Sequence, residues 1–172
     1  MKETQIALLR GINVGGHRKL PMADLRRILC GLGAKNPRTH IQSGNAVYEG
    51  NLGSHKISAA IGAEFGFRAQ TMVLSADQLI KAADNVPFNT DTPKLVHLYF
   101  LGEQPDIDPA TLSDDANAGE EWLLGDCVFY LHTPNGYGSS KLAERLERRL
   151  GVAATARNWN TVSKLVSMAT GA

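Results

Sequence analysis

The sequence predicts an α+β protein made of two similar lobes, each with the element order βαββαβ. Short apolar runs typical of strands alternate with segments of helical periodicity, and this order occurs twice. Residues 53–71, moved by 85 positions, also fall on residues 138–156 without a gap, with the apolar positions in phase. The order βαββαβ is the plan of ferredoxin-like domains. We therefore expect an internal duplication of a ferredoxin-like lobe, followed by one additional C-terminal helix.

The N-terminal lobe is predicted over residues 1–75. Pro21 is suited to a helix start because it has no N–H to leave unpaired. Ser43-Gly44-Asn45 is typical of a hairpin turn, since Gly and Asn tolerate positive φ. The predicted elements are a strand over 4–10, a glycine-rich loop over 11–19, a helix from Pro21 to about Gly31, strands over 38–41 and 46–48, a helix over 54–64 and a strand over 69–74.

A connecting helix over 76–84, capped by Ser75, and a proline-containing linker fill residues 76–94. The C-terminal lobe, with the terminal helix, then covers residues 95–172. Its predicted elements are a strand over 95–101, a short helix over 109–115, a hairpin with strands over 122–124 and 128–131, a helix over 139–150, a strand over 153–156 and the final helix over 159–168.

Composition narrows the class of protein. The 172 residues are 43% hydrophobic and 20% charged, as in a folded globular chain. The longest apolar runs span a few residues, whereas a transmembrane helix needs about 20, and the N-terminus lacks the apolar stretch of a signal peptide. We therefore expect a cytoplasmic protein with no membrane partner.

Cys30 and Cys127 are expected to be reduced and mostly buried. The five histidines have no ligand-like spacing with each other or with the cysteines, so the sequence predicts no metal site. No cofactor is expected.

Charge is distributed unevenly along the chain. Residues 1–91 carry 11 Lys/Arg and 7 Asp/Glu, whereas residues 92–172 carry 7 and 10. Residues 103–126 contain eight acidic residues and no basic one. This argues against a uniformly basic nucleic-acid-binding protein and allows a local anion site near the N-terminus.

The glycine-rich loop is the first candidate site. Gly11 and Gly16 have the spacing of the pattern G-x-x-x-x-G-K-[ST], but His17-Arg18 replaces its Lys and Ser/Thr, which excludes a phosphate-binding loop that holds magnesium. A loop that leads into a helix still offers free N–H groups and a positive dipole end. We predict an anion pocket, and the alternative is a flexible connection. The predicted pocket consists of Arg10, Asn13, Gly15, Gly16 and Lys19, which are expected to face Ser43 and Asn45 of the first hairpin.

A second candidate segment lies near the C-terminus. Arg157, Asn158, Trp159 and Lys164 are candidate ligand-binding residues, with Asn158 also predicted to cap the final helix. Trp159 is either a packing anchor or a binding residue. Ser43 has no histidine or acid marked as its base, so the sequence names no catalytic residue and assigns no reaction.

These segments carry a family resemblance. The chain resembles the domain of unknown function 1697 family, a group of uncharacterised bacterial proteins. The resemblance extends from residue 8 to residue 165. It implies a two-lobed fold with ferredoxin-like halves, and it implies no activity, substrate or cofactor. The matching blocks are Leu8–Gly16 with Lys19, Met22 and Leu25; Gln42–Asn45; Ser140–Leu142; and Arg157–Trp159 with Thr161, Val162, Lys164 and Leu165.

Three functions remain open. The first is binding of a small phosphorylated or otherwise anionic ligand through the basic loop over 10–19. The second is nucleic-acid binding, which the βαββαβ plan shares with the RNA recognition motif. The aromatic strands, however, fall in the acidic lobe, and this weakens the analogy. The third is a protein-interaction module that uses the acidic stretch 103–126. The oligomeric state is left undetermined.

Overall fold

The structure, a computed structural model, describes residues 3–171. In chain order its elements are β1 (Thr4–Arg10), α1 (Met22–Gly31), β2 (Lys35–His40), β3 (Asn45–Glu49), α2 (Ser54–Phe65), β4 (Gln70–Ser75), α3 (Ala76–Asp84), a 3₁₀ helix (Pro93–Leu95), β5 (Val96–Leu101), a second 3₁₀ helix (Pro109–Asp114), β6 (Glu121–Leu124), β7 (Val128–His132), α4 (Lys141–Leu150), β8 (Ala154–Asn158) and α5 (Trp159–Thr170).

The strands form two four-stranded sheets. The first has the order β2-β3-β1-β4 and the second the order β6-β7-β5-β8, so the two orders correspond strand for strand. Every pairing between neighbouring strands is antiparallel. The predicted α+β class is therefore confirmed, with strands and helices close to their predicted positions. The short helix predicted over 109–115 is a 3₁₀ helix.

The chain divides into two compact units. The first ends at Ala83 and resumes at Lys164, and the second is Asp84–Ser163. The division falls within α5, whose later residues group with the first unit. The domain limits drawn from the sequence, at 75 and 94, stay a prediction.

Each unit buries an apolar cluster between its sheet and its helices. In the first unit, Ala7 and Leu9 of β1 pack with Leu25 of α1 and Ile57 of α2. In the second, Tyr99 and Leu101 of β5 pack with residues of β7 and α4. Such contiguous apolar burial is the main driving force for each sheet–helix pair.

A buried carboxylate fixes the second 3₁₀ helix to α4. Asp115 is almost fully buried and accepts hydrogen bonds from Arg145, at 2.8 Å, and from Arg149. The Arg145 bond is the main reason that the pKa of this carboxyl lies below its usual value. Because each arginine adds a charge-assisted bond, the pair ties the 3₁₀ segment to the helix.

Two predicted helix caps are present. Ser75 Oγ accepts the Gln78 N–H while Gln78 Oε1 accepts the Ser75 N–H, which is a reciprocal capping box at the start of α3. Asn158 Oδ1 accepts the Thr161 N–H at 3.0 Å at the start of α5.

The predicted burial of the two cysteines is wrong. Both are free thiols, as expected, but both are exposed. Cys30 lies on α1, away from the face formed by Leu25, Ile28 and Leu29. Cys127 lies in the β6–β7 turn, where its φ is +54°. In both cases position in the element determines exposure, rather than the apolar character of the residue.

Tyr48 carries a buried hydroxyl that, within residues 3–171, has no hydrogen-bond partner. Burial also raises the pKa of this phenol above its usual range. Because an unsatisfied buried hydroxyl is unfavourable, we expect Tyr48→Phe to raise the free energy of unfolding by about 1 kcal/mol. Urea unfolding measures the change. Tyr99→Phe is the matched control. It removes a hydroxyl that is bonded to Tyr137, so it should lower the same quantity. A destabilised Tyr48→Phe variant would show that the hydroxyl has a partner in solution.

Candidate functional site

The glycine-rich loop is a tight β-hairpin. The Asn13 N–H donates to the Arg18 carbonyl and the His17 N–H donates to the Val14 carbonyl, each at 3.0 Å. Gly15 and Gly16, between them, have φ of +58° and +77°. Positive φ at both central residues is what a type I′ turn requires, and glycine adopts it without steric cost. The loop is therefore built as a hydrogen-bonded hairpin.

The Asn13 side chain holds this hairpin in place. Its Nδ2 donates to the Leu20 carbonyl at 2.9 Å and to the Gln42 carbonyl at 2.8 Å. Its Oδ1 accepts the Leu20 N–H at 2.8 Å. Both amide hydrogens are thus used, one to close the loop and one to join it to the β2–β3 turn. Asn13 is therefore placed to position the loop.

The β2–β3 turn is packed tightly against the end of β1. The Gly44 carbonyl accepts the Leu9 N–H at 2.8 Å. Gly44 has a φ of +94°, and a Cβ there would lie 2.8 Å from both Ile12 Cδ1 and Leu9 Cβ, so only glycine fits. The buried Asn45 side chain donates to the His40 carbonyl at 3.0 Å and to Ser43 Oγ at 3.1 Å, inside the turn. We call residues 10–20 and 41–45 together the loop–turn surface.

Cations dominate this surface. Arg10 is half-buried at the end of β1, while His17, Arg18 and Lys19 are exposed. No Asp or Glu occurs in residues 4–23 or 34–48. The loop, the turn and their adjoining strands therefore carry basic residues and no acidic residue in their own sequence.

Lys164 lies near the same turn, within the first unit. Burial, and secondarily the charge of Lys164, lower the pKa of His40, the residue that ends β2. Arg38, also on β2, donates to the carbonyl of Met168 in α5 at 2.7 Å. The structure therefore associates Lys164 with the β2–β3 turn, which the sequence pattern did not indicate.

The other three C-terminal candidates belong to the second unit. Arg157 is half-buried in β8, donates to the Ala156 carbonyl at 2.9 Å, and has a pKa lowered to about 10 by burial. Asn158 caps α5, and Trp159 is its half-buried first residue. Six of the seven candidates of the N-terminal loop and first turn are exposed or half-buried on the loop–turn surface, and the seventh, Asn45, is fully buried beneath it. Arg157, Asn158 and Trp159 belong to the other unit.

The structure also contains an aromatic cluster that sequence reasoning missed. The His97 imidazole stacks on the Tyr137 ring with centroids 3.6 Å apart, and the Tyr137 and Tyr99 hydroxyls are 2.6 Å apart. His97 is 8% exposed, and its Nδ1 has no hydrogen-bond partner within residues 3–171. Burial lowers its pKa to about 4. The sequence contained one signal for this cluster, a histidine between Val96 and Leu98 in an apolar strand.

Two further findings concern the described residues. Within residues 3–171, no three or more His, Cys, Asp or Glu side chains are grouped so that they could hold a metal ion. In that same range, no helix is long and apolar enough to span a bilayer.

Comparisons with known proteins concern the fold and the family. Over 98% of its length the chain matches 99% of the structure of the conserved bacterial protein SP0830 from Streptococcus pneumoniae, with a TM-score of 0.72 and 23% identity. At this identity the match shows the fold alone. A search of curated proteins finds no match. The family model described as "Protein of unknown function (DUF1697)" matches residues 1–130. The chain therefore belongs to the DUF1697 family.

Proposed function

We propose that the loop–turn surface binds an anionic ligand, of which a small phosphate-bearing molecule is the favoured class. The observation that carries the proposal is a hydrogen-bonded hairpin that presents two exposed cations, Arg18 and Lys19, beside half-buried Arg10 and has no acidic residue of its own. Binding is strongest when the recognising groups are already in place, since less conformational entropy is then lost. A cytoplasmic location, as expected from the sequence, is part of this proposal.

The candidate residues have two roles in this proposal. Asn13, Gly44 and Asn45 set the shape of the surface through the bonds described above. Arg10 and Lys19 contact the anion. Arg10 is held at a strand end and its guanidinium can donate two parallel hydrogen bonds, whereas Lys19 supplies a mobile point charge. Ser43, exposed in the turn, adds a hydroxyl donor.

We further propose that the two sheets arose by duplication of one ferredoxin-like βαββαβ unit, with the anion site in the first copy only. The identical strand order supports this. Helices α2 and α4 also end on glycines 85 residues apart, Gly66 and Gly151, with φ of +77° and +68°. The segment that follows β5 is acidic where the loop after β1 is basic, so anion binding belongs to the first copy.

Titration of the full chain with pyrophosphate by calorimetry tests the proposed function. We expect Arg10→Ala to lower the affinity about 10- to 150-fold, because a charge-assisted hydrogen bond contributes roughly 1.5–3 kcal/mol. Lys19→Ala should weaken binding less. Lys56→Ala, which removes an exposed lysine of α2, is the matched control and should bind like wild type.

Two results would contradict the proposal. One is the absence of saturable pyrophosphate binding at low salt. The other is an Arg10→Ala variant that melts at a lower temperature but binds normally, which would assign Arg10 to stability. Tighter, strongly salt-dependent binding of mixed oligonucleotides would instead identify a nucleic acid as the ligand.

A further inference from the structure

We propose that the loop–turn surface, besides small anions, also binds the carboxylates of an acidic polypeptide segment with aliphatic residues between them, and that Val14 and Ile41 contact those aliphatic residues. This inference rests on the proposed function, because it names the partner of the same surface. It adds apolar recognition to the anion recognition already argued.

Two exposed aliphatic side chains support the inference. Val14 is 64% exposed and Ile41 is 51% exposed. They are the chain neighbours of Asn13 and Gln42, which are joined by the hydrogen bond between the loop and the turn. One exposed aliphatic residue is ordinary, but two on backbone segments that are joined by this hydrogen bond indicate a contact surface.

The backbone of Ile41 provides an independent reason. Its φ is +51°, in the left-handed region. A β-branched residue there is an outlier, because its side chain crowds the following carbonyl, whereas Asn or Gly is accommodated. A residue chosen for stability alone would be Asn or Gly. Isoleucine at 41 therefore lowers the stability of the turn and places an apolar side chain in solvent, as expected of a binding residue.

The neighbouring charge defines the partner. Arg10, Arg18 and Lys19 favour an acidic segment and disfavour a basic one. A small inorganic anion has no apolar surface with which to cover Val14 and Ile41. A bilayer is usually met by a long amphipathic helix with Trp, Phe or Leu on its apolar face, and the loop–turn surface carries no Trp, Phe or Tyr. A polypeptide with alternating acidic and aliphatic residues supplies both features.

The experiment compares three probes on the full chain. They are pyrophosphate, a fluorescent peptide of alternating Glu and Val, and its twin with Ser in place of Val. We expect the Glu/Val peptide to bind at least about tenfold more tightly than the Glu/Ser twin, measured by fluorescence anisotropy. Val14→Ser and Ile41→Asn should each remove most of that difference. Leu123→Ser, at an exposed leucine of the second unit, is the matched control and should leave it intact.

The stability of the same variants separates binding from folding. Ile41→Asn should melt roughly 2–4 °C above the wild-type temperature, while it binds the Glu/Val peptide more weakly. Equal binding of the two peptides, with pyrophosphate binding retained, would overturn this inference and leave the proposed function standing. Failure of all three probes to bind would overturn both. Ile41-dependent binding to phosphatidylserine vesicles without peptide binding would assign the surface to a membrane and overturn the inference.

Discussion

Replacing Gly44 with alanine is expected to lower the free energy of unfolding by about 3 kcal/mol. Two effects add at this position. A Cβ would lie 2.8 Å from both Ile12 Cδ1 and Leu9 Cβ, and overpacking of this kind costs roughly 1–3 kcal/mol. The φ of +94° adds about 1 kcal/mol for a residue with a side chain. Urea unfolding measures the sum.

Gly66→Ala provides the control. Gly66 has a φ of +77° but no atom within 4 Å of an added Cβ, so its substitution should cost only the conformational part, about 1 kcal/mol. The difference between the two variants is therefore the packing cost at the turn. If Gly44→Ala were no more harmful than Gly66→Ala, the close contact of the turn with Leu9 and Ile12 would not exist in solution.

His97 is expected to make the protein less stable in acid. Its pKa is lowered from 6.5 to about 4 by burial, so the unfolded chain binds a proton between these values while the folded chain does not. The stability that depends on neutral His97 is therefore fully present above pH 6.5 and decreases as the pH falls to about 4. At about 1.4 kcal/mol per pKa unit, the loss is about 3 kcal/mol.

His97→Phe isolates this contribution. Phenylalanine keeps a ring against Tyr137 but cannot titrate, so the decrease in stability between pH 6.5 and 4 should shrink by about 3 kcal/mol relative to wild type. Tyr137→Ala should act in the same direction, because it uncovers the imidazole and lets its pKa rise. NMR titration of the His97 ring gives the folded pKa directly. A value near 6.5, or an unchanged acid loss in His97→Phe, would rule out burial of His97 as the cause.

Local patterns predicted most of the fold. Alternating short strands and amphipathic helices gave the α+β class, and Ser75 and Asn158 marked two helix starts correctly, because capping depends on residues close in sequence. The cysteines were misjudged because residue type was weighed above helical position. Cys30 follows the buried pair Ile28 and Leu29 but points away from their face.

The candidate site was only partly predictable, because its geometry depends on contacts between distant residues. The glycines and cations of the loop were visible in the sequence. The bond from Asn13 to the Gln42 carbonyl joins residues 29 positions apart, and no local sequence pattern predicts it. The aromatic cluster around His97 also depends on a long-range contact, because the hydroxyls of Tyr99 and Tyr137 that meet there belong to residues 38 positions apart. Exposure of Val14 and Ile41 likewise follows only from the folded backbone.

The Asn13 bond to Gln42 also has a consequence for the order of folding. The loop follows β1 at once, but the carbonyl that secures it belongs to the β2–β3 turn, 29 positions further along the chain. Closing that distance costs chain entropy before any contact compensates for it. The surface therefore needs a long-range contact to reach its final shape, and breaking of this one bond would separate the loop from the turn while the hydrogen bonds within each remain. Amide exchange at Leu20, whose N–H is bonded to Asn13 Oδ1, reports how often the Asn13 side chain leaves the loop altogether.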